Sequence, residues 1–155
     1  MIDGHGARGL AAVLIITSGF SRAAHAALGG DVASILRDHE RLQASDVVTA
    51  STPQYDVHEA RSADGVHVRQ YVDRSSGKVF AVTWDGPRSP DISAILGSSA
   101  PRYLAAVRAH RGNHHVLSIA DPDLSVTVLR LQRGWQGQAY LPAAIPAGVK
   151  RSEIR

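Results

Sequence analysis

Alternating apolar and polar positions in the middle of the chain predict three antiparallel strands. Residues 55–61 and 66–72 alternate in this way, and the Asp64-Gly65 pair between them favours a hairpin turn. The third run, residues 78–84, is apolar on both faces, which is typical of a central strand covered on both sides. We therefore expect a three-stranded meander, with the Trp84 ring as the largest contribution to its core.

Helical spacing of apolar residues predicts three helices. An amphipathic N-terminal helix is expected over residues 31–42. After the third strand, Ser89 as N-cap, Pro90 in the first turn and Gly97 as the stop predict a short helix. A second short helix follows over residues 101–111, where basic residues in the last turn suit the helix dipole. Two short helices therefore separate the two groups of strands.

Later strands and irregular segments complete the predicted fold. Residues 116–120 and 124–131 predict a second hairpin, and residues 135–140 form a weaker strand candidate. Residues 44–54 are mostly small and polar and are predicted to form a connector. The first part of the tail, 141–155, contains too many Pro and Ala residues to pair in a sheet. The fold class is therefore α+β, with an antiparallel sheet of hairpins, an N-terminal helix and two short helices.

The N-terminus has the pattern of a secretory signal peptide. An apolar run at residues 10–20 follows Arg8, and Ala24-His25-Ala26 supplies the small-x-small cleavage pattern. The run is much shorter than the roughly 20 residues of a transmembrane helix. We therefore expect cleavage after Ala26, no stable membrane insertion afterwards, and a single soluble domain, residues 27–155, in the periplasm or outside the cell.

Composition excludes several kinds of chemistry. The chain has no Cys, and Met1 is its only Met, so thiol catalysis, iron–sulfur clusters and zinc–thiolate sites are excluded. The formal net charge is +3 with scattered arginines, which gives little support to nucleic-acid binding. Residues 75–78 end like a phosphate-binding loop but lack its first Gly, and Ser98 lacks a nucleophile elbow. No catalytic residue and no cofactor is predicted.

The first predicted hairpin carries the best candidate for a binding site. His58 and His67 lie on the same face if the hairpin loop has an even number of residues, with Arg69 and Tyr71 beside them. This set predicts a polar surface that holds an anion through Arg69 and the imidazoles. The alternative is an ordinary solvated sheet face.

A second group of histidines is a weaker candidate for a metal site. His110, His114 and His115 fall close together, but no Asp or Glu follows them before Asp121. Two of these imidazoles converge more easily than all three. We therefore predict no metal site there.

Several sequence motifs resemble those of a known family. These are Ala27-Leu28-Gly29-Gly30, YDVHE at 55–59, GKVFAVTWDGP at 77–87, PDISAILG at 90–97 and GQAYLPAAIPAGV at 137–149. Together they resemble the exported bacterial family catalogued as domain of unknown function 2844. The resemblance covers most of residues 27–155 and implies location and domain extent, but no activity, cofactor or partner.

Two classes of function fit these observations. The first is a non-enzymatic exported binding or accessory module whose partner is another envelope protein or a surface polymer. The alternative is a small envelope hydrolase or a histidine-based metal-binding protein. That alternative requires His58, His67 or the histidines at 110–115 to meet an Asp or Glu in a cleft.

Overall fold

A computed structural model describes residues 28–32, 47–110, 112 and 115–155 of the chain. The predicted signal peptide, all but the start of the predicted N-terminal helix, and His114 lie outside these residues.

One antiparallel sheet of seven strands forms the body of the domain, in the spatial order β1-β2-β3-β4-β7-β6-β5. Hairpins or tight turns join most neighbours, and the last strand returns to the middle of the sheet beside β4. The antiparallel sheet is therefore as predicted, and the described residues are mostly strand with some helix. The strands are β1 (Val47–Ser51), β2 (Tyr55–Arg61), β3 (His67–Asp73), β4 (Val79–Gly86), β5 (Val116–Ala120), β6 (Ser125–Leu131) and β7 (Gly134–Tyr140).

Two α-helices separate β4 from β5, as the spacing predicts. Helix α1 (Ile92–Leu96) and helix α2 (Ala100–Ala109) are joined by a 3-10 turn at Gly97–Ser99. The N-cap is Asp91 and not the expected Ser89, because the Asp91 carboxylate accepts a hydrogen bond from the Ala94 N–H at 3.1 Å. The helix therefore begins two residues later than the Pro90 position indicates.

The larger of two cores lies between the sheet and the helices. Trp84 is 1% exposed there, and residues 79–84 of β4 are all buried, as predicted for a central strand. Segment 28–32 closes one end of this core, since Leu28 is 2% exposed and its N–H donates to the Ile95 carbonyl at 2.8 Å. Gly29 and Gly30 exchange backbone hydrogen bonds with Val79, which fixes the segment beside the start of β4.

A smaller core lies on the opposite face of the sheet. Tyr55, Tyr71 and Phe80 pack with ring centroids 5.8–6.2 Å apart. Residues of the tail 141–155 cover them, and Ile154 is buried among them at 3% exposure. The tail pairs with no strand along its length, but it forms a lid of 3-10 turns at Pro142–Ala144 and Arg151–Glu153 over one half of this face.

The segment 44–54, predicted as a connector, contains edge strand β1. Its residues pair with β2 from Val47 opposite Glu59 to Ser51 opposite Asp56, with a bulge between Val48 and Ala50. Val47, Val48 and Thr49 favour a strand, but the small and polar residues that surround them obscure this signal, and pairing with β2 completes the element.

Candidate binding site

Among the described residues, the tail covers one half of this sheet face, and polar side chains line the other half. Directly opposed residues in an antiparallel sheet project to the same face. The covered row runs through Val57, Tyr71, Ala81 and Tyr140. Two further rows lie beyond it, and we call them the polar half-face: Glu59, Arg69, Thr83, Gln138 and Thr127 in the first row, and His67, Asp85, Gln136 and Leu129 in the second.

The sequence-predicted binding residues are divided between three environments. His67 and Arg69 lie on the polar half-face as expected. Tyr71 projects to the same face but is 3% exposed under the tail, where its hydroxyl donates to the Arg155 carbonyl at 2.7 Å and accepts from the Arg155 N–H at 3.0 Å. His58 pairs with Gln70 and is buried on the opposite face.

The position of His58 corrects the expectation that it shares a face with His67. The pairing of Arg61 with His67 leaves residues 62–66 as the hairpin loop, which is an odd number. Side chains alternate between faces with a period of two, so one residue more or less in a loop moves the partner to the other face. His58 therefore contributes nothing to the polar half-face.

Four residues of the polar half-face form a connected charge cluster. The Glu59 carboxylate accepts from Arg69 Nε at 3.0 Å and lies 3.0 Å from His67 Nε2. Arg69 Nη1 donates to Asp85 Oδ1 at 3.2 Å, and His67 Nδ1 lies 3.7 Å from the same oxygen. Two carboxylates therefore already engage the guanidinium and the imidazole that were expected to hold an anion.

Burial and hydrogen bonding act on Glu59 in opposite directions. Partial burial raises the pKa of its carboxyl, but hydrogen bonds from Arg69 and His67 and their charges outweigh burial, so the pKa lies below its ordinary value. The charged form of Glu59 is thus the stable one in the folded protein, which keeps the cluster assembled at neutral pH.

A shallow pocket of about 180 Å³ opens beside the charge cluster. Polar half-face residues from β3, β4, β7 and β6 line it, and Arg155 of the tail forms part of its rim. Pockets for drug-sized ligands occupy roughly 300–1,000 Å³. The pocket therefore admits a unit no larger than one small ring or one side chain.

Thr83 on the floor of this pocket has an unused hydrogen-bonding group. The residue is 4% exposed, and its Oγ1 is buried without a hydrogen-bond partner among the described residues. Leaving a buried hydroxyl unpaired costs about 1–3 kcal/mol. Gln136 is exposed, and Gln138 and Thr127 are half-buried, so neutral groups that can both donate and accept surround Thr83 on the same face.

The neutral polar residues of this site were not predicted from the sequence. Thr83 belongs to β4, whereas Thr127, Gln136 and Gln138 belong to the hairpin of β6 and β7. This hairpin is distant from β4 in sequence, and the return of β7 to the side of β4 places the four residues together. The sequence carries one indication of these residues, since each stands at a polar position in the alternation of apolar and polar residues along its strand.

The histidines near the C-terminus of α2 do not form a described cluster. His110 is half-buried at the end of the helix, where its N–H donates to the Ala106 carbonyl at 2.9 Å, and His115 is exposed before β5. Within the described part of the chain, no group of three or more His, Asp or Glu side chains could hold a metal ion. His114 lies outside that part.

A hydrolase requires a histidine that meets an Asp or Glu and that does so in a cleft, and His67 satisfies the first of these two conditions. It meets Glu59 and Asp85, but the residues that line the pocket do not include it. Its side chain is only 12% exposed, and each ring nitrogen faces a carboxylate. A general base must reach the proton that it removes from a substrate. The imidazole is therefore placed to hold the charge cluster together.

Comparison with protein families matches residues 24–154 to the model of a protein of unknown function, DUF2844. The chain belongs to the DUF2844 family. The resemblance in the sequence motifs is thereby confirmed, and the matched range includes every residue of the polar half-face. No curated protein and no solved structure matches the chain. Among the described residues, no helix has the length and apolar character needed to cross a bilayer.

Proposed function

We propose that this chain is an exported, non-enzymatic module that binds an envelope protein or a surface polymer through the polar half-face. The observation that carries the proposal is the pocket beside the charge cluster, where the buried Thr83 hydroxyl has no hydrogen-bond partner in the described part of the chain. Unpaired buried polar groups are rare in folded proteins because they cost stability. A ligand that completes the hydrogen bond explains why the group is retained.

Export is supported by the N-terminal sequence. The apolar run and Ala24-His25-Ala26 favour cleavage after Ala26. Leu28, two residues later, is already part of the larger core. Cleavage after Ala26 keeps Leu28 and its core contacts in the mature protein, and the product is periplasmic or secreted.

The contacts of His67, the histidine nearest the pocket, favour binding over catalysis. His67 is held between the carboxylates of Glu59 and Asp85, and these partly buried contacts exist without a substrate. A hydrolase remains the second candidate because of this same juxtaposition. Hydrolysis of an envelope polymer by the purified protein, lost on His67→Gln with the fold intact, would favour the hydrolase.

The experiment that tests the proposal compares variants of the polar half-face with a matched control. Immobilised protein, residues 27–155, is exposed to solubilised envelope proteins and to shed surface polymer, and retained material is measured. We expect the double variant Gln136→Ala/Gln138→Ala to lose retention. Arg102→Gln, an exposed position on α2 that pairs with Asp123 at 3.3 Å on the helix side of the sheet, should keep it.

Equal retention by the wild type and by the Gln136→Ala/Gln138→Ala variant would contradict the proposal. Both glutamines are at least partly exposed, so their loss should leave the fold intact. Thermal unfolding of each variant checks this directly.

A further inference from the structure

We propose that strand β5 pairs with β5 of a second copy of this chain, so that two sheets join edge to edge in a twofold dimer. This inference goes beyond the proposed function and stands on the edge of the sheet alone. Strand β5 is the last strand in the spatial order of the sheet, and β6 pairs with one of its sides. No described strand pairs with its other side. An edge of this kind is a template for pairing with another strand.

The hydrogen bonds at the two ends of β5 show which of its backbone groups point away from the sheet. The Arg130 N–H donates to the His115 carbonyl at 2.8 Å, and the Asp121 N–H donates to the Leu124 carbonyl at 2.9 Å. Opposed residues in an antiparallel pair alternate between hydrogen-bonded and non-hydrogen-bonded positions. The odd-numbered residues from 115 to 121 are therefore bonded to β6, and the even-numbered residues direct their N–H and C=O groups outward. The outward residues are Val116, Ser118 and Ala120.

Strand β5 lacks the features that protect sheet edges from pairing. Natural sheets protect their edges with charged side chains, Pro or bulges. The sequence of β5, VLSIA, contains no charged residue and no Pro, and its register with β6 is regular. The side chains of all three outward residues are exposed, and Val116 is 47% exposed. The edge strand β1, at the other end of the sheet, carries a bulge. The outward side of β5 is therefore the edge that is open to pairing.

The second strand that fits this edge best is another β5. An antiparallel pair about a twofold axis places Ser118 opposite Ser118 and Val116 opposite Ala120 of the second copy. Each pair of outward residues then exchanges two backbone hydrogen bonds. In the same register the exposed Asp121 lies opposite the exposed His115 of the second copy, so like charges do not face each other. The edge is therefore complementary to itself in hydrogen bonding and in charge.

Pairing at β5 places both polar half-faces on the same side of one continuous sheet. Directly opposed residues project to the same face, and Ser118 pairs with Thr127 of the first row of the polar half-face. The first row of one copy therefore continues through Ser118 into the first row of the second copy. The dimer presents two copies of the surface on one side, which raises the avidity for a partner with repeated binding units.

The test measures the mass of the protein, residues 27–155, by sedimentation equilibrium at micromolar concentrations. We expect the wild type to form a dimer. Ser118→Pro removes an outward N–H and leaves the hydrogen bonds between β5 and β6 in place. Because both copies lose this bond, the dissociation constant of the dimer should rise at least about tenfold. Ser118→Ala keeps the N–H and is the matched control, which should dimerise like the wild type.

A pair of charge variants tests the register without a proline. Val116→Lys/Ala120→Lys places a lysine opposite a lysine of the second copy, whereas Val116→Lys/Ala120→Glu places a lysine opposite a glutamate. The dissociation constant of the first variant should exceed that of the second at least about fivefold, because like charges directly opposite destabilise a sheet. Both positions are exposed, so the fold should stay intact, and circular dichroism with thermal unfolding checks this.

Three results would overturn the pairing of β5 with itself. The first is a wild type that stays monomeric at these concentrations, including one whose edge pairs only with a strand of an envelope protein. The second is an unchanged dissociation constant in folded Ser118→Pro. The third is an equal dissociation constant for the two charge variants, which would place the dimer contact elsewhere.

Discussion

The contact between Trp84 and Gly137 gives the sharpest prediction about the fold. The two residues are directly paired on β4 and β7, and the indole ring lies close against the glycine. A Cβ at position 137 would stand 2.1 Å from Trp84 Cζ2 and 2.3 Å from Cε2. Ordinary carbon contacts are about 3.5–4.0 Å. Gly137→Ala therefore requires the ring to move by more than about 1 Å.

The surrounding core opposes that movement. Trp84 is 1% exposed, and its ring is enclosed by the larger core, where Val82, Val126 and Ala139 are fully buried. Overpacking a well-packed core costs about 1–3 kcal/mol. Because the obstacle is a buried ring and not a flexible side chain, we expect Gly137→Ala to cost about 3 kcal/mol. That is a large part of the roughly 5–15 kcal/mol of a typical domain.

A double-mutant cycle isolates the contact. Trp84→Ala alone should cost about 3–5 kcal/mol through the cavity that it leaves. In that background Gly137→Ala meets no ring and should cost under about 1 kcal/mol, so the two changes couple by at least about 2 kcal/mol. The assay is urea unfolding followed by circular dichroism. Additive effects, or a cost of Gly137→Ala below about 0.5 kcal/mol in the wild type, would refute the packing of the ring on β7.

Three further predictions concern the N-terminal segment, the charge cluster and export. Leu28→Ala should destabilise the protein by about 2–5 kcal/mol in urea unfolding, whereas Leu104→Ala, at an exposed position of α2, should change stability by under about 0.5 kcal/mol. Folding lowers the pKa of Glu59, so the stabilising contribution of its carboxylate is present above the unfolded pKa near 4.5 and is lost as the pH falls through the folded pKa. The free energies of unfolding of the wild type and of Glu59→Gln should therefore differ at pH 7 and converge at acid pH. The intact mass of the exported protein should correspond to residues 27–155, and recovery of the uncut chain would contradict cleavage between Ala26 and Ala27.

Most of the sheet could be predicted from the sequence because each strand carries its own alternation and is bounded by turn residues. The bounds of β2 and β5 agree with the prediction, and those of β3 and β4 differ by one or two residues at each end. Strand β1 could not be predicted in the same way. Its five residues, VVTAS, lie in the small and polar run 44–54 that predicts a connector, and the strand is recognised by its pairing with β2.

The candidate site was predictable only where it depends on local pairing. His67 and Arg69 alternate on one strand, so their common face follows from the sequence. The exclusion of His58 depends on the parity of a five-residue loop, 62–66, which composition does not determine. Thr83 and Gln138 lie side by side because β7 returns to β4 after two helices and a hairpin, a long-range arrangement with no local signal.

The central claim is that the polar half-face is the binding surface, and nuclear magnetic resonance tests it most directly. Labelled protein, residues 27–155, is titrated with purified surface polysaccharide and with solubilised envelope proteins, and changes in amide shifts are mapped. The account predicts the largest changes at Thr83, Gln138 and Thr127, with little change along Ala100–Ala109. Changes confined to that helix, or none with either fraction, would contradict it.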